Sequence, residues 1–236
     1  YEIIQASTTS NPHLPAEYVQ TLRDIYPANL LNAYIDGQFV NLTSGTVYSG
    51  YDRIKNRTSV VIAPKEPLSI GMDFNVTNMS AVVYVIREGV WHAASELKGI
   101  YDTPAIIQTI KEKWPDRSIT IYPDASGNSR KSVDASISDI ALLRQAGFSV
   151  RAKDSNPRVK DRVMASNAAF GRCDVMVNDA ECPDYAKCLE QLAYDKNGEP
   201  DKATNLDHLP DAGTYPIAYQ MPILKPLSNI NVRFAQ

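Results

Sequence analysis

Residues 69–75 constrain the fold of this chain more than any other stretch of its sequence. Bulky apolar side chains at Ile70, Met72 and Phe74 alternate with small or polar ones, which is the two-residue period of a β-strand. Such a strand places Asp73 on the face opposite the bulky residues. Burying a carboxylate there costs free energy unless a cation or a donor compensates it, so Asp73 is either a satisfied structural residue or part of a site.

A second strand of the same construction lies downstream. Residues 118–123 alternate in the same way and lead into Asp124, followed by the flexible residues 125–128. Between the two strands, residues 87–89 predict a hairpin turn, and Thr103 with Pro104 predicts the N-cap and first position of a crossover helix. A right-handed crossover places the fourth strand parallel to the first and beside it. The two carboxylates then meet, which indicates a shared divalent-metal site.

The remainder of the chain continues to alternate between helices and short strands. Helices are predicted over 137–146, from Asn156 to Gly171 and from Cys182, with short strands over 148–150 and 175–177. The sequence therefore predicts an α/β fold with a mixed sheet of five or more strands flanked by helices.

Composition excludes several classes of protein. The chain has 236 residues, 44% of them hydrophobic and 22% charged, which is ordinary for a globular protein, and it contains no apolar run of membrane-spanning length. Its three cysteines lack paired spacing, which indicates reduced thiols. A formal net charge of −3 argues against a generally basic nucleic-acid binder but leaves room for a local basic patch.

A third acidic motif occupies residues 206–212. Pro210 suits the first turn of a helix and places Asp211 in the same turn, where the helix dipole alone could explain an acid. Asp207 is predicted to be a local cap or to support the metal ligands from behind. His208 is expected to orient the backbone of that turn rather than bind metal.

In this order the motifs resemble the nuclease domain of the large terminase subunit of tailed double-stranded DNA bacteriophages, a ribonuclease H-like family. Three stretches resemble the acidic motifs of that family: 70–73, 122–124 and 207–212. Residues 6–14 resemble the end of its packaging ATPase, and 34–39 and 47–51 resemble its interdomain linker. The resemblance implies two domains, with 1–67 as the end of the ATPase and the linker, and 68–236 as the nuclease.

The resemblance also implies a catalytic centre. Asp73, Asp124 and Asp211 would hold two Mg²⁺ or Mn²⁺ ions, with Asp73 bridging them, and would cut double-stranded viral DNA during genome packaging. Mutual repulsion should raise the pKa of at least one of these acids. The family's last motif commonly continues into a regular helix with a basic residue, whereas here Gly213, Thr214 and Pro216 are expected to interrupt it.

The expected surroundings of this site follow from the same resemblance. The partners would be double-stranded DNA, the portal protein, the small terminase subunit and the chain's own upstream ATPase domain, in the host cytoplasm and with no membrane. Basic side chains that could contact DNA lie after Asp124 and along the next helix; an ordinary solvated helix face is the alternative for each of them. They are Arg130, Lys131, Lys153, Arg158, Lys160 and Arg162.

Other classes of protein share parts of this pattern. A sugar-kinase or actin-like ATPase also begins with an Asp-bearing strand, but its phosphate loop needs glycines that residues 75–78 lack. A ribonuclease H-like resolvase or integrase would share the chemistry without the amino-terminal resemblance. A non-catalytic docking module of the packaging motor would use the acids structurally. The absence of a phosphate loop predicts that this chain does not hydrolyse ATP.

Overall fold

The computed structural model describes residues 11, 18–21, 35, 45–75, 78–128 and 138–223. Six strands form one sheet: β1 (Leu68–Asp73), β2 (Met79–Arg87), β3 (Val90–Ile100), β4 (Ile119–Pro123), β5 (Ser149–Val150) and β6 (Val175–Val177). Within these ranges, five helices flank this sheet: α1 (Thr103–Lys113), α2 (Asp139–Gln145), α3 (Val159–Arg172), α4 (Pro183–Gln191) and α5 (His208–Gln220). Short 3₁₀ turns cover Ala125–Asn128 and Lys202–Thr204.

The strand order is β5-β4-β1-β2-β3-β6. β4 pairs parallel with β1, as the crossover rule predicts, and β5 pairs parallel with β4. β2 is antiparallel to both of its neighbours, and β6 is parallel to β3. The prediction of a mixed sheet with five or more strands is confirmed. Because β2 alone runs in the opposite direction, the other five strands end at the same edge of the sheet.

The β2–β3 hairpin has a two-residue turn at Glu88 and Gly89. Both residues have positive φ, 53° and 82°. This conformation is typical of a type I′ turn, whose twist matches that of the flanking strands. The predicted hairpin is therefore confirmed, and it pairs β2 with β3, with Arg87 opposite Val90.

Two hydrophobic cores cover the two faces of the sheet. On β1, the side chains of Leu68, Ile70 and Met72 enter the core beneath α1 and α2. Side chains of α3, α4 and α5 pack in the core on the other face. Since successive strand residues alternate between faces, Asp73 lies on the α5 face, opposite the bulky residues, as the alternation predicts.

Helix α5 packs directly on β1 at Gly71. A Cβ at this glycine would lie 2.0 Å from the Ala212 carbonyl oxygen and 2.7 Å from Cδ of Pro216. The ring of Pro216 replaces the N–H that would otherwise bond to the carbonyl four residues earlier, which is that of Ala212. Glycine on the strand and proline on the helix therefore allow the two backbones to approach one another.

The expectation that Gly213, Thr214 and Pro216 interrupt the last helix is wrong. α5 is continuous from His208 to Gln220 and contains Pro216 in its interior. The Thr214 hydroxyl donates to the Pro210 carbonyl at 2.7 Å, and a Cβ at Gly213 would meet the Tyr185 ring at 2.6 Å. Tertiary packing thus retains a helix that intrinsic propensity disfavours.

Three helix starts also differ from the sequence prediction. The N-cap of α1 is Asp102, whose Oδ1 accepts from the Ala105 N–H at 2.8 Å, so Thr103 is the first helical residue. α2 begins at Asp139 after the capping residue Ser138, and α3 begins at Val159. Helix ends are set by local capping contacts that hydrophobic periodicity does not reveal.

The segment before β1 is packed against the domain from residue 45 onward. Val47 and Tyr48 are buried in the core on the α5 face. The Asn56 side chain is fully buried and donates to the Phe170 carbonyl at 2.8 Å, at the end of α3. Most of the predicted ATPase end and linker lies outside the described residues, and the boundary at residue 67 stays a prediction.

Within the described ranges, no helix has the length and apolar character needed to cross a membrane.

The contact at Gly71 predicts a large effect of adding one methyl group. Gly71→Ala should lower the free energy of unfolding by about 3 kcal/mol, because the new Cβ would meet the backbone of α5 rather than a movable side chain. Urea denaturation followed by circular dichroism measures this change.

Gly171→Ala is the matched control. A Cβ at Gly171 meets nothing within 4 Å, and alanine is the better helix former by about 1 kcal/mol. This variant should unfold at the same urea concentration or a higher one. Equal stability of the two variants would contradict the proposed contact between α5 and β1.

Candidate active site

Asp73 and Asp124 end two adjacent strands. Met72 of β1 is in register with Pro123 of β4, and the Asp124 N–H donates to the Met72 carbonyl at 3.0 Å. The pairing therefore continues one residue past β4 and brings the two acids side by side at the edge where the parallel strands end.

Asp73 is almost fully buried, with 5% of its surface exposed. Its Oδ2 accepts a hydrogen bond from Asn75 Nδ2 at 2.5 Å and lies 3.7 Å from His208 Nδ1. Asn75 Nδ2 also lies 2.6 Å from His208 Nδ1. The interaction with Asp73 raises the pKa of His208 above its ordinary value, against the effect of partial burial. These contacts connect the end of β1 to the first residue of α5.

Asp124 is half-buried and held from one side. Its Oδ1 accepts from the Ser126 N–H at 2.7 Å and from Asn156 Nδ2 at 2.5 Å. Asn156 Oδ1 in turn accepts from the Ala125 N–H at 2.8 Å. One amide side chain therefore ties both the carboxylate and the backbone after β4 to the loop between β5 and α3.

Asp211 lies in the first turn of α5, as predicted. Its Oδ1 pairs with Arg162 Nη2 at 2.5 Å. Burial raises the pKa of Asp211 to about 6; the charge of Arg162 opposes this rise, whereas those of Asp73 and Asp207 add to it. The expected repulsion between the acids therefore contributes, but loss of solvent is the larger cause.

Tyr215 lies one turn after Asp211 on α5, and the charges of all three acids affect its pKa. Burial raises its pKa most; Arg162 lowers it, and the charges of Asp124, Asp211 and Asp73 each raise it further. A single phenol thus lies within electrostatic range of all three carboxylates. The distances connect the acids in pairs: the Asp124 N–H bonds to the residue before Asp73, and Asp73 lies 3.7 Å from His208, in the turn that carries Asp211.

Arg162 is one of the residues predicted to contact DNA, with an ordinary solvated helix face as the alternative; the structure buries it, so the alternative of a solvated face is wrong. Only 3% of its surface is exposed, and its guanidinium carbon lies 4.5 Å from the centre of the Tyr215 ring. α5 itself contains no lysine or arginine. The cation beside Asp211 therefore comes from α3, because α3 packs against α5.

Asp207 occupies the N-cap position of α5 but makes no capping hydrogen bond with its side chain. Its carbonyl accepts from the Asp211 N–H at 2.7 Å. Its Oδ1 is buried and has no hydrogen-bond partner in the described part of the chain, with His208 Nδ1 3.9 Å away. The side chain is therefore not a local cap, and an unpartnered buried carboxylate oxygen is what a cation would stabilise.

Three of the other predicted DNA-contacting residues lie in or next to the loop that joins β5 to α3. Lys153 and Arg158 are exposed in the loop between β5 and α3, and Lys160 is exposed in the first turn of α3. Lys153 Nζ lies 4.7 Å from the centre of the Tyr219 ring. Arg130 and Lys131 lie outside the described residues.

The chemistry of these residues fits hard divalent cations. Across the ranges that the structure describes, no group of three or more His, Cys, Asp or Glu side chains is arranged so that it could hold a metal ion. The four acids nevertheless offer carboxylate oxygens, which Mg²⁺ and Mn²⁺ prefer, and no thiol accompanies them. Asp73, Asp124 and Asp211 would hold the cations, with the unpartnered Asp207 oxygen behind them.

A family model described as "Terminase RNaseH-like domain" matches residues 70–220, which is more than half of the chain. The chain belongs to this family. The match includes all three acids and every strand of the sheet except the first two residues of β1. No curated protein sequence matches the chain. The predicted ribonuclease H-like fold and the predicted family are confirmed.

Solved structures of terminases have the same fold. The large terminase of a thermophilic bacteriophage aligns with a TM-score of 0.68 and 20% identity, over 90% of this chain and 54% of that one. The P22 large terminase nuclease domain aligns at 0.57 and 14%, over 78% and 96%. The nuclease domain from bacteriophage SPP1, solved with bound Mn, aligns at 0.51 and 16%, over 75% and 100%. This chain therefore spans about half the length of the first of these proteins.

Three residues of the candidate site were not predicted from the sequence: Asn75, Asn156 and Tyr215. Asn75 follows Asp73 by two residues, and Tyr215 follows Asp211 by four, so both spacings could have indicated a contact. Asn156 is 32 residues from Asp124. Its role depends on how the β5–α3 loop folds back over the end of β4, and no local pattern shows this.

The Asn156 contacts predict a local loosening when the amide is removed. Asn156→Ala should increase the hydrogen-exchange rate of the Ala125 amide by roughly fivefold, as expected for loss of one hydrogen bond worth about 1 kcal/mol. Asn197→Ala, at an exposed site where the side chain bonds to Asp195, is the control. Unchanged exchange at Ala125 would show that Asn156 does not hold this turn.

Proposed function

We propose that this chain is the nuclease part of a terminase motor and cuts double-stranded viral DNA by metal-dependent hydrolysis during genome packaging. The observation that carries the proposal is geometric: Asp124 follows β4 beside Asp73 at the end of β1, and Asp73 Oδ2 lies 3.7 Å from Nδ1 of His208, in the helix turn that carries Asp211. Membership of the Terminase RNaseH-like domain family supports it. The acids lie on two strand ends and a helix, which are rigid supports for a catalytic site.

Phosphodiester hydrolysis requires an attacking water to be activated and the growing negative charge on the phosphate to be neutralised. Two Mg²⁺ or Mn²⁺ ions, when bound, supply both. Asp73 is the ligand proposed to bridge them, because β1 contacts both β4, which leads into Asp124, and α5, which carries Asp211. Asp124 would complete one coordination shell and Asp211 the other, with each carboxylate already held through one oxygen.

DNA would approach from the side of the sheet where β5 lies. The exposed cations Lys153, Arg158 and Lys160 follow β5, and Asn156, from the same segment, bonds to Asp124. With a net charge of −3 and these few cations, the chain should bind DNA weakly and with strong salt dependence. No base-reading motif is apparent, so cleavage should show little sequence preference.

Other components of the motor would provide tight DNA binding. An ATPase domain of the same terminase, the portal protein and the small terminase subunit are the proposed partners, in the host cytoplasm and away from any membrane. They would hold the DNA, so the nuclease need not bind it tightly by itself. Weak intrinsic binding would also limit cutting while DNA is being translocated.

The central prediction is metal-dependent plasmid cleavage that requires Asp73. The purified chain should nick and linearise plasmid DNA with Mn²⁺ or Mg²⁺ but not with EDTA. Asp73→Asn should reduce cleavage to the EDTA level, because an amide is a poorer ligand for a hard cation than a carboxylate. Agarose gels of time courses measure the rate.

Asp116→Asn is the matched control for the same chemical change. Asp116 is exposed in a turn with φ of 53°, a conformation that asparagine adopts readily, and cleavage should be unchanged. A folded Asp73→Asn protein that cuts normally would remove the proposal. An inactive wild-type chain that nonetheless binds the procapsid or the ATPase would favour the docking module.

The exposed cations predict a salt-dependent effect on cleavage. Replacing Lys153, Arg158 and Lys160 together by Ala should slow cleavage more at low salt than at high salt, because exposed phosphate contacts are screened. Lys187→Ala with Lys196→Ala, exposed on α4 and the following loop, should have little effect. Equal losses at both salt concentrations would contradict direct phosphate contact.

A further inference from the structure

A buried cation lies beside the acids of the proposed site. Arg162 is 3% exposed, and its Nη2 pairs with Asp211 Oδ1 at 2.5 Å. Burying a guanidinium is costly unless its charge and its donors are satisfied. Its Nε is nevertheless buried without a hydrogen-bond partner among the described residues. The guanidinium therefore pairs with Asp211 through Nη2, while its Nε–H remains unsatisfied within the described part of the chain.

The position of this guanidinium is set by two helices. It stacks on the Tyr215 ring at 4.5 Å, and Tyr215 follows Asp211 on α5. Its backbone lies within α3, where the Arg162 N–H donates to the Arg158 carbonyl at 3.0 Å. A planar cation stacked on a ring has little freedom to turn. The donor that meets Asp211 is thus held in one place before any ligand binds.

The contact with Asp211 involves one oxygen only. Oδ1 accepts from Arg162, and within the described ranges no other donor reaches this carboxylate. The charges of Asp73 and Asp207 act on the same side chain. A carboxylate fixed through Oδ1 keeps Oδ2 available in a defined direction.

We propose that Arg162 is a positioning residue: it holds the Asp211 carboxylate through Oδ1 so that Oδ2 can bind the divalent cation. It does not contact DNA phosphate. The inference rests on the proposed function of the site. It also explains how α5, which contains no lysine or arginine, keeps a guanidinium beside its acid: α3 provides it.

The test measures Mn²⁺ binding by the whole chain without DNA, using isothermal titration calorimetry. Arg162→Lys retains the charge but loses the planar stacked donor, and Arg162→Met also removes the charge. We expect Mn²⁺ affinity to fall by about tenfold in Arg162→Lys and further in Arg162→Met, as for other residues that orient metal ligands. Arg172→Gln, at the exposed far end of α3, should bind Mn²⁺ like the wild type.

Cleavage kinetics separate positioning from DNA contact. In Arg162→Lys, kcat should fall and more Mn²⁺ should be needed for half-maximal rate, while KM for DNA and its salt dependence stay unchanged. A raised KM with normal Mn²⁺ binding would overturn the proposal in favour of a phosphate contact. Tighter Mn²⁺ binding in Arg162→Met would also overturn it, since Arg162 would then compete with the cation.

Separate controls test whether each variant folds and whether the proposed nuclease function itself holds. Circular dichroism melting checks each variant, and if Arg162→Met does not fold, Arg162→Lys alone decides: wild-type Mn²⁺ affinity in it overturns the proposal. If the wild-type chain binds Mn²⁺ in an Arg162-dependent manner but does not cut DNA, the nuclease function fails and the positioning role stands. If it cuts DNA and Arg162→Lys binds Mn²⁺ normally, only the positioning role fails.

Discussion

The contact between α5 and β1 is the constraint on which the rest of the site depends. Gly71 lets the Ala212 carbonyl and the Pro216 ring approach the strand. That approach brings the first turn of α5, with Asp211, near Asp73 at the end of the strand. A side chain at Gly71 would force the helix outward and separate the two acids. Packing of two backbones therefore determines the geometry of a group of carboxylates.

The acids at this edge of the sheet repel one another, and few cations compensate their charge. Asp73, Asp207 and Asp211 are removed from water to a large extent, and burial is the main reason that the pKa of Asp211 rises to about 6. Arg162 is the buried cation that opposes this rise. One positive charge cannot balance the cluster fully, and the remaining negative potential favours binding of divalent cations.

The residues that support the acids differ from those proposed to contact DNA. Asn75, Asn156 and Arg162 each hold one carboxylate through a single oxygen at 2.5 Å. Lys153 and Arg158 remain exposed in the loop that Asn156 attaches to Asp124. The loop that carries these cations is therefore attached to Asp124 and to the backbone after β4 by one amide side chain.

The sequence by itself determined the sheet and the proximity of Asp73 and Asp124. Strand period and the handedness of crossovers are local or general rules, and β1 and β4 obey them. It also predicted Asp211 in the first turn of α5. Only the tertiary structure decided that α5 continues through Pro216, that Arg162 is buried and that Asn156 reaches Asp124. These depend on which helix faces meet, and neither charge nor periodicity along a chain specifies contacts between residues so far apart in sequence.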